Sequence, residues 1–316
     1  MRRKGNNKTM SNAYMKYLWG QIAEEEEEGG VETLAVDPIP TNIIGKVQHE
    51  KLAGGSFLWL IFATAILGQP DIAGLLWDYR EAARPRAAAT DSMWAEQLQS
   101  LCGKDGLFID ETVQRARVHH WARFFLVKKK EKVGRVILNC RQANNHCKEL
   151  PSVNFPRMGD LLRRIDEISR DKGLWAFEMD LRHAFFQVPI KEHLGRHFMV
   201  KCAASGRILR PRALPMGWKA SPFIQQSILW GAILKDIPEY LGAKVLEDTK
   251  LGESPPAWVE ICSKDGEVVG LVTAYLDNVL VMSCDEDVVK NHAGSWVRNG
   301  CRGRKTRLGT PQSRDA

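Results

Sequence analysis

Runs of apolar residues along the chain fall into two spacings, and the spacings predict the elements. Phe124-Phe125-Leu126-Val127 and Val136-Ile137-Leu138 are short apolar runs separated by lysines and Gly134, which predicts a β-hairpin with a cationic tip. Met158, Leu161, Leu162, Ile165 and Ile168 recur at helical spacing behind Pro156, so 157–169 is expected to form an amphipathic helix. Residues 174–181 read as a strand ending in Met179-Asp180-Leu181. A second hairpin is expected from 196–202 and 207–212 around Ser205-Gly206. Ser221-Pro222 opens an apolar helix over 223–234, and 268–276 and 279–283 read as strands separated only by Asp277-Asn278. Hairpin, helix, strand, hairpin, helix and hairpin in this order predict an α+β domain with a mainly antiparallel sheet. Upstream, the longest apolar run, Phe57 to Leu67, is roughly half of the ~20 residues a membrane span requires, and Gly54-Gly55 and Gln69-Pro70 bound it. A buried helix is expected there, and no membrane partner.

Composition narrows the class. With 316 residues, 44% of them hydrophobic and 26% charged, the chain can bury a core, which excludes wholesale disorder. Glycine and proline show no short period, and the polar start excludes a secretory leader, so an intracellular location is expected. The seven cysteines form no Cys-x-x-Cys pair and are read as free thiols.

The net charge of +7 matters less than its segregation. Glu24 to Glu28 is an uninterrupted acidic run of linker type. Between Arg115 and Lys148 lie ten lysines and arginines with Glu131 as the only acid, interleaved with Trp121, Phe124 and Phe125, a composition suited to phosphates and nucleic acid. Beyond Val297 the chain is basic and poor in large apolar residues, and a disordered tail is expected. The domain reading is thus an N-terminal region of unknown role over 1–112, a folded domain over 113–290 and a basic tail over 291–316. The first region carries no Asp-Ser-Gly or Asp-Thr-Gly triplet and no glycine-rich phosphate loop.

The chemistry is concentrated at Asp180 and Asp277, both at predicted strand ends that an antiparallel sheet can bring side by side. Paired carboxylates without histidine or cysteine suit hard Mg²⁺ ions and phosphoryl transfer. Their surroundings carry more information. Asp180-Leu181-Arg182-His183-Ala184-Phe185-Phe186-Gln187-Val188-Pro189, then Leu214-Pro215-Met216-Gly217-Trp218-Lys219-Ala220-Ser221-Pro222, then Ala274-Tyr275-Leu276-Asp277-Asn278 resemble, in order, the three palm motifs of reverse transcriptases from retroviruses and LTR retrotransposons. Phe125-Leu126-Val127-Lys128-Lys129-Lys130 with Arg135 and Arg141-Gln142-Ala143-Asn144 is similar to that family's fingers hairpin. The resemblance covers about residues 115 to 290 and implies a palm-and-fingers fold.

Carried over residue by residue, it implies an RNA-directed DNA polymerase using Mg²⁺ or Mn²⁺, an RNA or DNA template-primer and deoxynucleoside triphosphates. Asp180 and Asp277 match the metal-binding aspartates, and Asn278 is a weak third ligand. Lys129 and Arg135 match the grip on the incoming triphosphate, with Lys128 and Lys130 as neighbouring nucleic-acid contacts. Phe185 matches the ring that excludes a ribose 2'-hydroxyl. Met216 and Gly217 belong to the nucleotide-binding turn, where Gly217 would let backbone approach a base pair while Trp218 packs; Tyr275 is a nucleic-acid contact.

Departures from the family pattern set a second reading beside the first. Asn278 replaces an aspartate and removes one negative charge from the site. Asp285, Glu286 and Asp287 read as the acidic first turn of a helix. Residues 236–270 are longer than usual and are expected to add a surface hairpin at Lys264-Asp265-Gly266, and no thumb, connection or RNase H portion is recognisable. The alternative is a non-catalytic nucleic-acid-binding remnant. His119, His120, Cys140, His146 and Cys147 match no zinc spacing, and His183 is read as a packing or surface residue.

Overall fold

The computed structural model describes residues 34–52, 57–78, 89–90, 92–113, 117–130, 132–170, 172–235, 242–244, 254–291 and 302–308. The strands are β1 (Ala35–Val36), β2 (Ala89–Thr90), β3 (Phe108–Asp110), β4 (Trp121–Lys130), β5 (Val133–Asn139), β6 (Leu174–Asp180), β7 (Met199–Cys202), β8 (Ile208–Pro211), β9 (Gly242–Lys244), β10 (Trp258–Cys262), β11 (Val268–Tyr275), β12 (Asn278–Ser283) and β13 (Arg302–Leu308). The helices are α1 (Leu58–Gly68), α2 (Pro70–Leu76), α3 (Ala95–Ser100), α4 (Arg141–His146), α5 (Met158–Ser169), α6 (Ala184–Gln187), α7 (Glu192–Gly195) and α8 (Ser221–Lys235). Two compact units divide them: Met1–Val47, Ala65–Ser152 and Phe185–Ser221 form one, and Gln48–Thr64, Val153–Ala184 and Pro222–Ala316 the other. The chain is α+β and mainly antiparallel, as its pattern predicts; among the strands of the described residues β1 on β5, β2 on β7 and β4 on β7 pair in parallel.

In the first unit the sheet runs β1-β5-β4-β7-β8-β3, with β2 beside β7. The cationic hairpin β4–β5 forms as expected, from Arg123 opposite Asn139 to Lys130 opposite Val133, and its register shifts between Lys128 and Lys130. Lys129 is therefore a bulge residue, and a bulge re-aims a side chain. The expected second hairpin is shorter than predicted: 196–198 form the turn that follows α7, and the pairing is between β7 and β8, Val200 opposite Leu209. Residues before 113 do not stand apart. β1 and β3 join the same sheet as the hairpin, so the boundary expected at 112 is not a structural one.

Around Trp77 an aromatic stack fills this unit. His197 lies on the indole at 3.8 Å between ring centroids and 11°, Trp218 stacks on it at 5.6 Å, and His119 stacks on His197 at 4.6 Å. His120 stacks on His146, and its Nδ1 is 3.0 Å from that of His197, an arrangement suited to neutral rings in which one nitrogen donates and the other accepts.

The second unit is built on a sheet ordered β13-β6-β12-β11-β10-β9. The helix α5 forms where the periodicity placed it and lays Leu161 and Ile165 on Ala176, Leu271 and Met282 of the sheet. The long apolar helix α8 is buried over most of its length, and α1 is buried at Trp59, Leu60, Ala63, Ile66 and Leu67, as expected for the Phe57 run. Leu60 of α1 occupies the room left by Gly231 of α8. No single helix among the described residues is long and apolar enough to cross a membrane. The expected turn at Lys264-Asp265-Gly266 joins β10 to β11, with Gly266 at φ +80. Residues 286–291 are helical, with the Asp285 carboxylate accepting the Asp287 N–H at 2.8 Å as an N-cap. The tail expected to be unstructured contributes β13, antiparallel to β6 from Arg302 opposite Asp180 to Leu308 opposite Leu174. Poverty in large apolar side chains does not forbid this, because an edge strand is joined through its backbone donors and acceptors. The Glu24–Glu28 run lies outside the described residues, and the described cysteines are free thiols.

The histidine stack generates a pH dependence. Burial, with His146 and His119 adding like charge, lowers the His120 pKa to about 4, and burial with neighbouring histidines lowers that of His197 to about 2. In the unfolded chain both titrate near ~6.5. Their contribution to stability is complete above that value and is lost as pH falls toward the folded values, because the unfolded chain takes up the protons. Urea unfolding at pH 7.5 and pH 5 should show a loss of roughly 2 kcal/mol from His120 alone, with the fall reduced in His120→Gln.

Candidate active site

In the second unit, β6 ends at Asp180 and β12 begins directly opposite it at Asn278. The Leu181 N–H donates to the Asp277 carbonyl at 2.7 Å and extends this pairing past the end of the ladder. Adjacent strands lie ~4.8 Å apart, so the two aspartates sit on neighbouring strand ends. Opposed residues share a face, and Asn278 also opposes Tyr275, so Asp180, Asn278 and Tyr275 lie on one side of the sheet. Asp180 is exposed, whereas Asp277 and Asn278 are half-buried.

The turn itself is displaced from the expected position. Asp277-Asn278 was expected to form it, but Tyr275 pairs with Asn278, so the two loop residues are Leu276 and Asp277. Leu276 takes φ +55, a left-handed conformation that two-residue hairpins require and that costs a residue with a branched side chain about 1–2 kcal/mol. The Leu276 N–H donates to Gln226 Oε1 at 2.8 Å, while Gln226 Nε2 donates to the Ala274 carbonyl at 2.8 Å. Gln226 is fully buried in α8. The sequence reading did not single it out, although paired glutamines in an otherwise apolar helix face are a signal for a buried polar contact.

The donor set suits a hard cation only in part. Asp180 and Asp277 offer carboxylate oxygens, and no group of three or more histidine, cysteine, aspartate or glutamate side chains suited to a metal occurs among the described residues. A Mg²⁺ ion takes six oxygens, so a phosphate-bearing ligand and water would supply the rest. Asn278, expected as a weak ligand through its amide oxygen, donates from its amide nitrogen to Asp277 Oδ1 at 3.4 Å. Tyr275 is 45% exposed, and its ring lies 4.2 Å from that of Phe155, an aromatic ahead of Pro156 that sequence reading passed over.

The first unit holds the other predicted residues. The bulge turns Lys129 toward Asp37, whose carboxylate it meets at 2.8 Å. Lys128, opposite Gly134, and Arg135, opposite Val127, are exposed and project from opposite faces of the hairpin. The Lys130 backbone closes β4, and its side chain lies outside the described residues. Phe185 is half-buried in α6 beside the buried Phe186. His183 takes φ +54 in the turn that leads into that helix.

Met216 and Gly217 are placed by backbone. The Leu138 N–H donates to the Met216 carbonyl at 2.9 Å, and Gly217 takes φ +124 with its Cα against the Leu138 carbonyl, where a Cβ would overlap the oxygen. The glycine is thus required by the protein's own strand. Asn144 completes the clamp: its Nδ2 donates to the Gly217 carbonyl and its Oδ1 accepts the Lys219 N–H, each at 2.9 Å. Trp218 is buried in the stack on Trp77, as expected.

The family described as "Reverse transcriptase (RNA-dependent DNA polymerase)" matches residues 127–298, more than half of the 316-residue chain. No curated protein matches. Among solved structures, the chain is similar to the foamy viral protease-reverse transcriptase dRH in complex with double-stranded DNA, with a TM-score of 0.45 and 13% identity over 90% of this chain and 47% of that one. It is also similar to the foamy viral protease-reverse transcriptase in complex with double-stranded DNA, with a TM-score of 0.41 and 14% identity over 86% of this chain and 52% of that one. The chain spans about half the length of these structures.

The Gly217 geometry yields a direct test. Gly217→Ala combines a disfavoured φ with overlap on backbone that cannot step aside, and is expected to cost about 3 kcal/mol or more. Chemical denaturation should show this loss, while Gly206→Ala, at φ +69 with no atom near its added Cβ, should lose clearly less.

Proposed function

Because the chain belongs to the reverse transcriptase (RNA-dependent DNA polymerase) family, we propose that it is an RNA-directed DNA polymerase, in which a primer 3'-hydroxyl attacks the α-phosphorus of a deoxynucleoside triphosphate and pyrophosphate leaves. The observation that carries this reading is the β6–β12 register, which sets Asp180 and Asp277 on neighbouring strand ends with oxygen donors only. Divalent ions, Mg²⁺ or Mn²⁺, would when bound activate the attacking oxygen and offset charge on the leaving one.

The chain's own residues divide the remaining work. Asp180 and Asp277 hold negative charge at the strand ends. Arg135, with a planar fork of donors, and Lys129, as a point charge, bind the triphosphate, while Lys128 and Lys130 contact the nucleic acid. Phe185 excludes a ribose 2'-hydroxyl by bulk, Met216 and Gly217 shape the nucleotide turn, and Tyr275 presents its exposed ring to the template-primer. Asn278 adds no charge, so metal affinity is lower than three carboxylates would give.

That missing charge supports a second reading, a nucleic-acid-binding protein without turnover. Primer extension on an RNA template, with a DNA primer and either Mg²⁺ or Mn²⁺, separates the two. Under the polymerase reading, Asp180→Asn abolishes incorporation and Asn278→Asp raises it severalfold at low metal concentration. Undiminished incorporation by Asp180→Asn would overturn the assignment; salt-sensitive binding with no extension by any variant would establish the second reading.

A further inference from the structure

We propose that Gln226 is the positioning residue of the carboxylate pair: its buried amide holds the Leu276-Asp277 turn in its left-handed form and thereby fixes where Asp277 presents its oxygens. The inference rests on the functional reading above, since it assigns to Gln226 an effect on metal binding at Asp180 and Asp277.

Two hydrogen bonds define the device. Gln226 Oε1 accepts the Leu276 N–H at 2.8 Å, and Nε2 donates to the Ala274 carbonyl at 2.8 Å, so one side chain spans the residue entering the turn and the strand before it. Leu276 at φ +55 is strained, because a leucine gains nothing from the left-handed region that the two-residue turn demands, and the Gln226 bonds offset that strain; without them the turn can open toward negative φ. Relaxation rotates the peptide joining Leu276 to Asp277 and shifts the Asp277 carbonyl, which accepts from Leu181 at 2.7 Å. That carbonyl bond is the one nearest the turn between the two paired strands. Losing it separates Asp277 from Asp180, with no change at either carboxylate.

Gln226 is fully buried and bonds to the backbone of the turn and of the strand before it, so its action is indirect. The side chain also suits the task in a way that a hydroxyl or carboxylate does not. A primary amide accepts and donates at once without charge, and both functions are used here. Groups that orient ligands from behind typically change metal affinity 10–100-fold when removed.

The test compares the full-length chain with Gln226→Met, which keeps volume and removes both hydrogen bonds, and with Gln226→Met/Leu276→Gly, in which glycine takes positive φ without strain. Mn²⁺ binding is titrated by electron paramagnetic resonance, and exchange of the Leu181 amide is followed without metal. Gln226→Met should weaken Mn²⁺ binding about tenfold and speed Leu181 exchange, and the glycine should restore much of both. An Asp180-dependent Mn²⁺ site with native affinity and native Leu181 protection in Gln226→Met would overturn the proposal alone. A Mn²⁺ affinity indifferent to Asp180→Asn would instead overturn the functional reading. Should Gln226→Met fail to fold, Leu276→Gly by itself decides: a raised melting temperature is expected from relief of strain, and a lowered one overturns the proposal.

Discussion

The pairing of β12 against β6 is the constraint on which the site depends. Side chains alternate along a strand, so a slip of one residue would turn Asp180 and Asn278 to opposite faces and carry Met179 and Phe177 out of the core. The register is held by burial, with Val279 opposite Met179 and Val281 opposite Phe177, all four nearly inaccessible. The helix α5 covers the other face at Ala176 and Met282. The core thus sets the register, and the register delivers two carboxylates to one end of the sheet.

Electrostatics at that end are leaner than the motif suggests. Asn278 occupies a strand position opposite Asp180 and turns an amide nitrogen to Asp277, which offsets part of the carboxylate charge without adding any. The cationic hairpin is similarly reapportioned. Of three consecutive lysines, Lys129 is the one taken by the bulge and engaged by Asp37, which arrives on the segment that continues β1. A partly exposed pair of this kind contributes about 1 kcal/mol, enough to orient Lys129.

Much of this was legible because it is local. The β4–β5 hairpin, α5, α8 and the strand ending at Asp180 follow from apolar spacing, and the order of motifs identified the family. The turn was misplaced by one residue because Asp and Asn tolerate positive φ, which made Asp277-Asn278 the better local candidate; Gln226, 50 positions away, stabilises Leu276 instead. The steric need for Gly217 was not legible for a similar reason, since its neighbour is the Leu138 carbonyl of another strand. β1 and β13 were missed because short or basic strands carry no hydrophobic alternation, and their pairing depends on an open edge elsewhere.

The class of elements, the cationic patch and the asparagine after Asp277 could be read from the amino-acid sequence, since periodicity and side-chain chemistry are properties of a single stretch of chain. Which backbone groups meet was decided only by the tertiary structure. Register, the bulge at Lys129, the conformation of Leu276 and the clamp of Gly217 each depend on hydrogen bonds and steric contacts between residues far apart in sequence, and no local pattern encodes those.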